Sequence, residues 1–199
     1  MNSTPLATVL WPESASRTLQ TVFLIVLGSL LLTVSAKTSV PFWPVPLTMQ
    51  TLAVMAIAAT YGSRLAVGTV LFYFAQGFFG LPVFAGLTAG PGYFLGGTGG
   101  FLAGFVVLAY LVGLAADRGW DRSTPKLFIA LLVADVIVFT LGIAWLAWFA
   151  VLGADTVGWG LQNAFMKGAV PYMLGDLLKI ALVALAVPAT WRLIDSRKG

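Results

Sequence analysis

One stretch near the C-terminus decides the fold: Val170-Pro171-Tyr172-Met173-Leu174-Gly175-Asp176-Leu177-Leu178-Lys179-Ile180. It places an acid and a base inside an apolar segment that runs from about residue 168 to residue 190, long enough to cross a bilayer. If this segment is a helix, Asp176 and Lys179 are i and i+3 neighbours on one face, with Tyr172 one turn earlier. That face is the first candidate for a functional site.

Placing these two charges inside a membrane is energetically unfavourable. At a rise of about 1.5 Å per residue they lie roughly 12 and 16 Å past Gly168, deep in a hydrocarbon core about 30 Å thick. Each charge costs roughly 2.5–3.5 kcal/mol near the bilayer centre, whereas an i,i+3 ion pair returns only about 0.2–0.5 kcal/mol. The pair therefore either clamps two helices or faces a polar cavity, where it meets a ligand or a coupled ion. We expect the cavity.

The whole chain has the composition of an integral membrane protein. Of its 199 residues, 59% are hydrophobic and 9% are charged, and the mean hydropathy is +0.96. The apolar runs are continuous rather than alternating, which favours helices over a β-barrel. The formal charge of +4 comes from basic residues in short loops and at the C-terminus, so membrane topology explains it better than nucleic-acid binding.

Several classes of enzyme are excluded by residues that the sequence lacks. It has no cysteine and no histidine, which removes thiolate nucleophiles, imidazole bases and the usual transition-metal sites. It also contains neither a Walker phosphate loop nor a Gly-x-Gly-x-x-Gly dinucleotide motif. We therefore predict a protein that is not an enzyme, has no catalytic residues, metal or cofactor, and takes any energy it needs from another protein.

Six apolar segments predict an all-α membrane protein, a bundle of six transmembrane helices with irregular external loops. We place the spans at about residues 18–36, 47–60, 64–79, 94–116, 126–151 and 168–190. A lead of residues 1–17, which we expect to lack regular structure, precedes the membrane domain of residues 18–191, and a basic tail of residues 192–199 follows it. The first span loosely imitates a cleaved signal peptide, but we expect it to be retained because the rest of the chain also spans the membrane.

The basic residues set the orientation. With a cytoplasmic N-terminus, two basic residues, Lys37 and Lys167, fall outside and eight fall inside, which is a clear positive-inside bias. The eight are Arg17, Arg64, Arg118, Arg122, Lys126, Arg192, Arg197 and Lys198. We therefore expect a multi-pass protein of the cell (inner) membrane with both termini in the cytoplasm. The site charges then point toward the outside.

Two glycine-rich stretches share the outer side with the site. Residues 77–93 carry no charge and are rich in glycine and aromatic residues, which predicts a lid over a ligand pocket; the alternative is an interfacial loop with aromatic anchors. Gly96, Gly100 and Gly104 recur every fourth residue, which indicates close helix packing rather than direct contact with a ligand.

Three sequence blocks resemble the BioY family, the biotin-binding S components of energy-coupling factor (ECF) transporters. The blocks are Pro44-Val45-Pro46-Leu47-Thr48-Met49-Gln50, then Gly80-Leu81-Pro82-Val83-Phe84-Ala85-Gly86 leading to Gly96-Gly97-Thr98-Gly99-Gly100-Phe101-Leu102-Ala103-Gly104-Phe105, and Pro171-Tyr172-Met173-Leu174-Gly175-Asp176-Leu177-Leu178-Lys179. The similarity covers roughly residues 18–190. It implies a six-helix membrane protein that captures biotin from outside and delivers it with a transmembrane T subunit and two ATPases.

The resemblance also implies that Asp176 and Lys179 contact biotin. A carboxylate can accept hydrogen bonds from ureido N–H groups, and an ammonium can meet either the ureido oxygen or the valerate carboxylate. We expect the external loops to close over the bicyclic ring. The other candidates for substrate binding are Tyr172, Gln50, Phe84, Gly86, Tyr93 and Thr98.

The sequence departs from these relatives at two places. Gly86 stands where a polar residue is common, so one hydrogen-bond donor expected from the resemblance is either missing or replaced by Gln50 or Thr98. The first span lacks the Ala-x-x-x-Ala motif through which S components often dock. Its nearest small residues are Ser29 with Thr33, and Gly28 far from Ala36.

Three alternatives to biotin uptake stay open. The first is an S component for another small vitamin, and the second is a non-transporting assembly subunit. The third is a proton-coupled carrier in which Asp176, Lys179 and Asp135 form a relay. Asp135 is otherwise a second partner for Lys179 or a separate helix clamp. Our leading hypothesis is a high-affinity membrane binder for biotin.

Overall fold

The described chain is mostly helical. The computed structural model of the protein describes residues 6–9, 16–152 and 157–196. In chain order the helices are α1 (Leu6–Val9), α2 (Arg17–Lys37), α3 (Gln50–Tyr61), α4 (Ser63–Phe78), α5 (Gly92–Leu95), α6 (Gly99–Asp117), α7 (Thr124–Trp148), α8 (Leu161–Gly168) and α9 (Val170–Ser196), with a single 3-10 turn at Trp120–Arg122. Two short strands, β1 (Ser39–Val40) and β2 (Leu47–Thr48), pair antiparallel.

Four helices in the described ranges are long and apolar enough to cross a membrane, namely α2, α6, α7 and α9. Helix α3 is apolar but has only 12 residues, and α4 has 16. At about 1.5 Å per residue these two helices extend about 18 and 24 Å, less than a hydrocarbon core of about 30 Å. Several membrane-sized apolar helices make this a multi-pass membrane protein, as the composition predicts.

The observed helix boundaries differ from the prediction where local sequence interrupts the apolar pattern. Helix α3 begins at Gln50 because the prolines and strand β2 occupy the preceding residues, which removes three residues from the predicted second span. The predicted fourth span is divided at Gly96 and Gly97 into the single turn of α5 and the long helix α6. The short helix α8 lies in the connection between the fifth and sixth predicted spans, where no helix is predicted.

The two chain ends also differ from the prediction. Helix α1 lies in the lead that the sequence predicts to be irregular. Helix α9 continues to Ser196, into the predicted tail, although Pro188 lies inside it. Arg197 and Lys198, which enter the predicted charge asymmetry, lie outside the described residues.

Helices α6 and α7 form the most extensive helix pair, and glycine makes their close approach possible. A Cβ atom at Gly100 would lie 2.3 Å from Cβ of Trp145, and one at Gly104 would lie 2.9 Å from Cα of Val138. Both distances are shorter than side chains tolerate. The predicted packing role of these two glycines is therefore confirmed, whereas Gly96 precedes α6 and accepts a hydrogen bond from Trp145 Nε1 at 2.9 Å.

The turn between α6 and α7 is tied to the end of α9. Asp121 is buried, and its Oδ2 accepts a hydrogen bond of 2.6 Å from Trp191 Nε1. The guanidinium of Arg122 lies 3.9 Å from the centre of the Trp191 ring, a cation–π contact. Burial raises the pKa of Asp121 above its ordinary value, although the Trp191 hydrogen bond and the Arg122 charge act in the opposite direction. This cluster fixes one end of the bundle.

Candidate functional site

The site forms where α9 packs against the start of α3. Pro171 is the second residue of α9, a position where the missing backbone N–H removes no helical hydrogen bond. At the start of α3 the backbone N–H of Gln50 donates to Thr48 Oγ1 at 3.2 Å, which satisfies one of the unpaired donors of a helix N-terminus. The first turn of α3 therefore lies beside the second and third turns of α9.

Asp176 and Lys179 form a buried ion pair that α3 completes. Lys179 Nζ donates to Asp176 Oδ1 at 2.6 Å, to Thr51 Oγ1 at 2.8 Å and to the Thr48 carbonyl at 2.9 Å. Thr51 Oγ1 in turn donates to Asp176 Oδ1 at 2.8 Å. An ammonium has three N–H donors, so every one of them is used. The side chains of the pair are only 6% (Asp176) and 13% (Lys179) exposed.

The pair lines a cavity of about 50 Å³. Its polar wall comes from the ion pair, the start of α3, Tyr93, Thr98 and Tyr172. Its apolar wall comes from Val45, Pro46, Phe101, Leu102, Phe105, Val138 and Phe139. A charged pair on one wall and a largely apolar surface opposite suit a small ligand that has both a polar head and an apolar body.

Hydrogen bonds connect the cavity to the loop between α4 and α5 and to the proline-rich loop between α2 and α3. The amide of Gln50 donates to Tyr73 Oη at 3.0 Å, and Tyr73 Oη donates to the Val83 carbonyl at 3.1 Å. On the other side, Tyr172 Oη donates to the Val45 carbonyl. Both loops are therefore tied to cavity residues, one through Tyr73 to Gln50 and the other directly to Tyr172.

Phe84 anchors the loop between α4 and α5 through its aromatic ring. The ring is fully buried, lies parallel to the ring of Tyr93 at a centroid distance of 4.4 Å, and meets Tyr73 edge-on at 5.4 Å. Gly77 of α4 makes room for it, because a Cβ atom there would lie 2.1 Å from Phe84 Cζ. Burial raises the pKa of Tyr93, so this phenol stays protonated and able to donate a hydrogen bond.

Lys37 at the end of α2 binds the same loop through its backbone carbonyls. Its Nζ donates to the carbonyls of Pro82 at 2.6 Å, Phe84 at 2.7 Å and Gly86. Three carbonyls that converge on one ammonium fix the path of the backbone across residues 82–86. The loop is thus held at its tip by Lys37 and at its core by Phe84.

Asp135 of α7 is a further buried carboxyl near the site. It is 6% exposed, and its Oδ1 has no hydrogen-bond partner among the described residues. The carboxyl interacts electrostatically with both Asp176 and Lys179, yet Asp135 does not line the cavity. The described residues contain no group of three or more acidic side chains that could hold a metal ion.

The sequence similarity of this chain to known proteins extends over almost its full length. Residues 8–196 match the BioY family. The chain belongs to the BioY family. Two relatives are 32% identical to it: the biotin transporter BioY2 of Lactococcus lactis subsp. cremoris, aligned over 84% of this chain and 87% of the relative, and the biotin transporter BioY of Thermotoga maritima, aligned over 78% and 86%. BioY of Rhodobacter capsulatus is 36% identical over 71% of this chain and 76% of its own length.

The fold also agrees with that of a solved structure. The crystal structure of the S-component for biotin from an ECF-type ABC transporter superposes with a TM-score of 0.74, covering 90% of this chain and 95% of the other. Sequence identity over the superposition is 19%, so this comparison concerns the fold. The resemblance to BioY seen in three sequence blocks is thus confirmed, and the predictions of a non-enzymatic protein and of no cofactor are confirmed with it.

Most of the predicted site residues of this BioY-family chain meet at one cavity. Six of them line it: Asp176, Lys179, Tyr172, Gln50, Tyr93 and Thr98. Two do not. Phe84 lies behind Tyr93, and Gly86 lines a second, outer cavity. Their contact with a ligand in the inner cavity is not supported by these positions.

The sequence reasoning missed Thr51 and the carbonyl of Thr48. Thr51 contacts both members of the ion pair although it is 125 residues before Asp176. A threonine in an apolar helix usually bonds to its own helix backbone, as Thr60 does with the Ala56 carbonyl at 2.7 Å. The available signal was the polar run Thr48-Met49-Gln50-Thr51 at the start of a short apolar helix.

Proposed function

We propose that this protein binds biotin from outside the cell as the S component of an ECF-type uptake system. The observation that carries the proposal is a buried acid–base pair on the wall of a largely apolar cavity, in a chain that belongs to the BioY family. The relatives are biotin transporters by name. Biotin matches this cavity chemically, because its bicyclic ring fuses a polar ureido ring to an apolar tetrahydrothiophene ring.

Each cavity residue has a role that its chemistry supports. Asp176 accepts a hydrogen bond from a ureido N–H, and Lys179 with Thr51 holds the carboxylate in position. Gln50 and Thr98 supply the polar contacts to the ligand that Gly86, which has no side chain, cannot make. Tyr93 and Tyr172 cover the ring, and Phe84 and Gly86 act through the loop that supports Tyr93.

We propose that α2, α3, α4, α6, α7 and α9 all cross the cell (inner) membrane, with residues 18–191 as the membrane domain. The connecting loops extend the two short helices α3 and α4. The positive-inside rule supports cytoplasmic termini and an outward-facing site. Residues 1–17 and 192–199 are then a cytoplasmic lead and tail.

We further propose a T subunit and two ATPases as partners, since the sequence has no phosphate loop of its own. The small residues of α2 do not form a docking stripe on its outer face. Gly28 faces Thr69 of α4, where a Cβ atom would lie 2.6 Å from Thr69 Cγ2, and the buried Ser29 donates to Gln76. Docking through this helix would therefore use its large aliphatic side chains, such as Leu30 and Val34.

The proposal is tested by isothermal titration of the purified protein with biotin. Asp176→Asn and Lys179→Met should each weaken binding at least about tenfold, because each change removes a charge-assisted hydrogen bond and leaves its partner buried. Asp195→Asn on the same helix and Lys126→Met on α7 are matched controls at exposed positions, and both should bind biotin normally. Wild-type affinity in both site variants would remove the pair from the binding site.

The unpaired oxygen of Asp135 favours one alternative, a proton-coupled carrier. A buried carboxyl that interacts with the ion pair has the chemistry of a relay member. Uptake of biotin into liposomes driven by a pH gradient alone, and abolished by Asp135→Asn, would establish the carrier. If the protein is instead an S component that depends on ATPases, we expect no uptake in this experiment.

A further inference from the structure

A second, outer cavity adjoins the binding cavity. It has a volume of about 630 Å³ and lies between the proline loop, which contributes Trp43 and Pro46, and the external loop that contains Gly86. Pro46 and Tyr93 line both cavities. The two cavities therefore share a wall at Pro46 and Tyr93, and the outer one lies next to the inner one.

The inner cavity is suited to a neutral hydrogen-bond donor and not to an anion. All three N–H donors of Lys179 are used within the site, and both hydrogen bonds to Asp176 end on Oδ1. Oδ2 of Asp176 is therefore the atom with capacity to accept from a ligand. A ligand carboxylate here would meet the like charge of Asp176, with Asp135 close enough to interact with the pair.

The outer cavity offers no cation to a ligand carboxylate. Its lining, taken over the described residues, contains no charged side chain. Lys37 is near the loop, but its three donors go to the carbonyls of residues 82, 84 and 86. Lys167 lies over the ring of Trp159 at 4.6 Å and at 5.8 Å from that of Trp43, which holds its ammonium against aromatic faces.

We propose that the valerate arm of biotin extends past Tyr93 into the outer cavity and that its carboxylate is not recognised. The protein then binds N-alkyl amides of biotin, in which the carboxyl carbon is joined to an amine, as well as it binds free biotin. This inference rests on the proposed function and extends its substrate class. Conversion to an amide removes a charge that has no partner in the outer cavity, and the space beyond the arm accommodates the alkyl group.

The experiment compares the dissociation constants of biotin, its N-methyl amide and its N-hexyl amide for the purified full-length chain. We expect all three to agree within about threefold. A carboxylate held by a cation would make the amides at least about tenfold weaker, which would overturn the inference while biotin binding itself stands. If biotin also fails to bind, the proposed function fails first.

Three variants locate the arm. Lys167→Met should leave the ratio of biotin to N-methyl amide affinity unchanged. A loss of affinity confined to biotin would show that Lys167 binds the carboxylate and would overturn the inference. Thr88→Trp narrows the outer cavity and should weaken the N-hexyl amide about tenfold more than biotin. Leu87→Trp is its control, because Leu87 is 86% exposed and lies outside the lining. Equal effects of Thr88→Trp on both ligands would place the arm elsewhere.

Discussion

Replacing Gly77 by alanine should open the binding site without touching it. A Cβ atom at this position would lie 2.1 Å from Cζ, 2.3 Å from Cε2 and 2.8 Å from Cε1 of Phe84. Ordinary contact begins near 3.4 Å, so the ring must retreat by more than an ångström. Because Phe84 is stacked on Tyr93, that retreat displaces a wall that belongs to both cavities.

The expected magnitude follows from the cost of overpacking, typically about 1–3 kcal/mol. If biotin binding requires the loop position seen in the structure, and the clash destabilises that position by this amount, biotin affinity decreases roughly 5- to 150-fold. Gly68→Ala is a matched control in the same helix, since its Cβ atom would meet Ile25 Cδ1 at 3.8 Å, an ordinary contact. It gains only the small helical preference of alanine over glycine and should bind biotin normally.

Titration calorimetry gives the affinities, and thermal unfolding in detergent shows whether each variant is folded. Phe84→Leu provides a second check, because a smaller side chain relieves the clash. The variant that combines Gly77→Ala with Phe84→Leu should lose less binding free energy than the two single variants lose in total. Wild-type affinity in folded Gly77→Ala, or strictly additive losses in the double variant, would refute the proposed link between Gly77, Phe84 and the site.

Three further predictions concern other contacts. Thr51→Val removes a hydroxyl bonded to both site charges and should weaken biotin binding about tenfold by calorimetry, whereas Thr60→Val in the same helix should not; equal effects would contradict the role of Thr51. Lys37→Met frees three loop carbonyls and should speed biotin dissociation about tenfold in stopped-flow experiments, with Lys126→Met as control; an unchanged rate would show that this lysine does not hold the loop. Because burial raises the pKa of Asp121, the folded state binds its proton more tightly, so thermal stability should fall as pH rises above the ordinary value of 3.8; Asp121→Asn should remove this slope, and an identical slope in that variant would exclude Asp121 as its source.

The sequence predicts the ion pair because charge in an apolar helix is a strong signal. Asp176 and Lys179 are three residues apart in a segment long enough to span a bilayer, so their burial and shared face follow from helical geometry alone. Their partners do not follow from it. Thr51 reaches the pair through the packing of α3 on α9, a contact that depends on tertiary structure and leaves no local pattern in the sequence.

The loop of residues 77–93 shows the same limit of prediction from sequence. Absence of charge and a high glycine content predict that residues 77–93 pack on the protein, but which aromatic ring faces the cavity depends on backbone direction. Gly77 admits Phe84 behind Tyr93, so a residue expected in the wall supports it instead. Helix α8 was missed for a related reason, since a helix of eight residues is shorter than the apolar periodicity needed to recognise one.

Protein groups around the ion pair explain why the site tolerates buried charge. From the sequence alone a ligand is expected to compensate the pair, because an i,i+3 contact contributes far less than the cost of burying both charges. The structure supplies that compensation from within the protein. Thr51 and the Thr48 carbonyl complete the coordination of Lys179, and hydrogen bonds to charged groups contribute roughly 1.5–3 kcal/mol each. These contacts lie within the protein and fix both charges, which lowers the ordering that ligand binding requires. A ligand adds its donor to a prepared carboxylate, which is why loss of Thr51 should weaken biotin binding even though the threonine need not touch biotin.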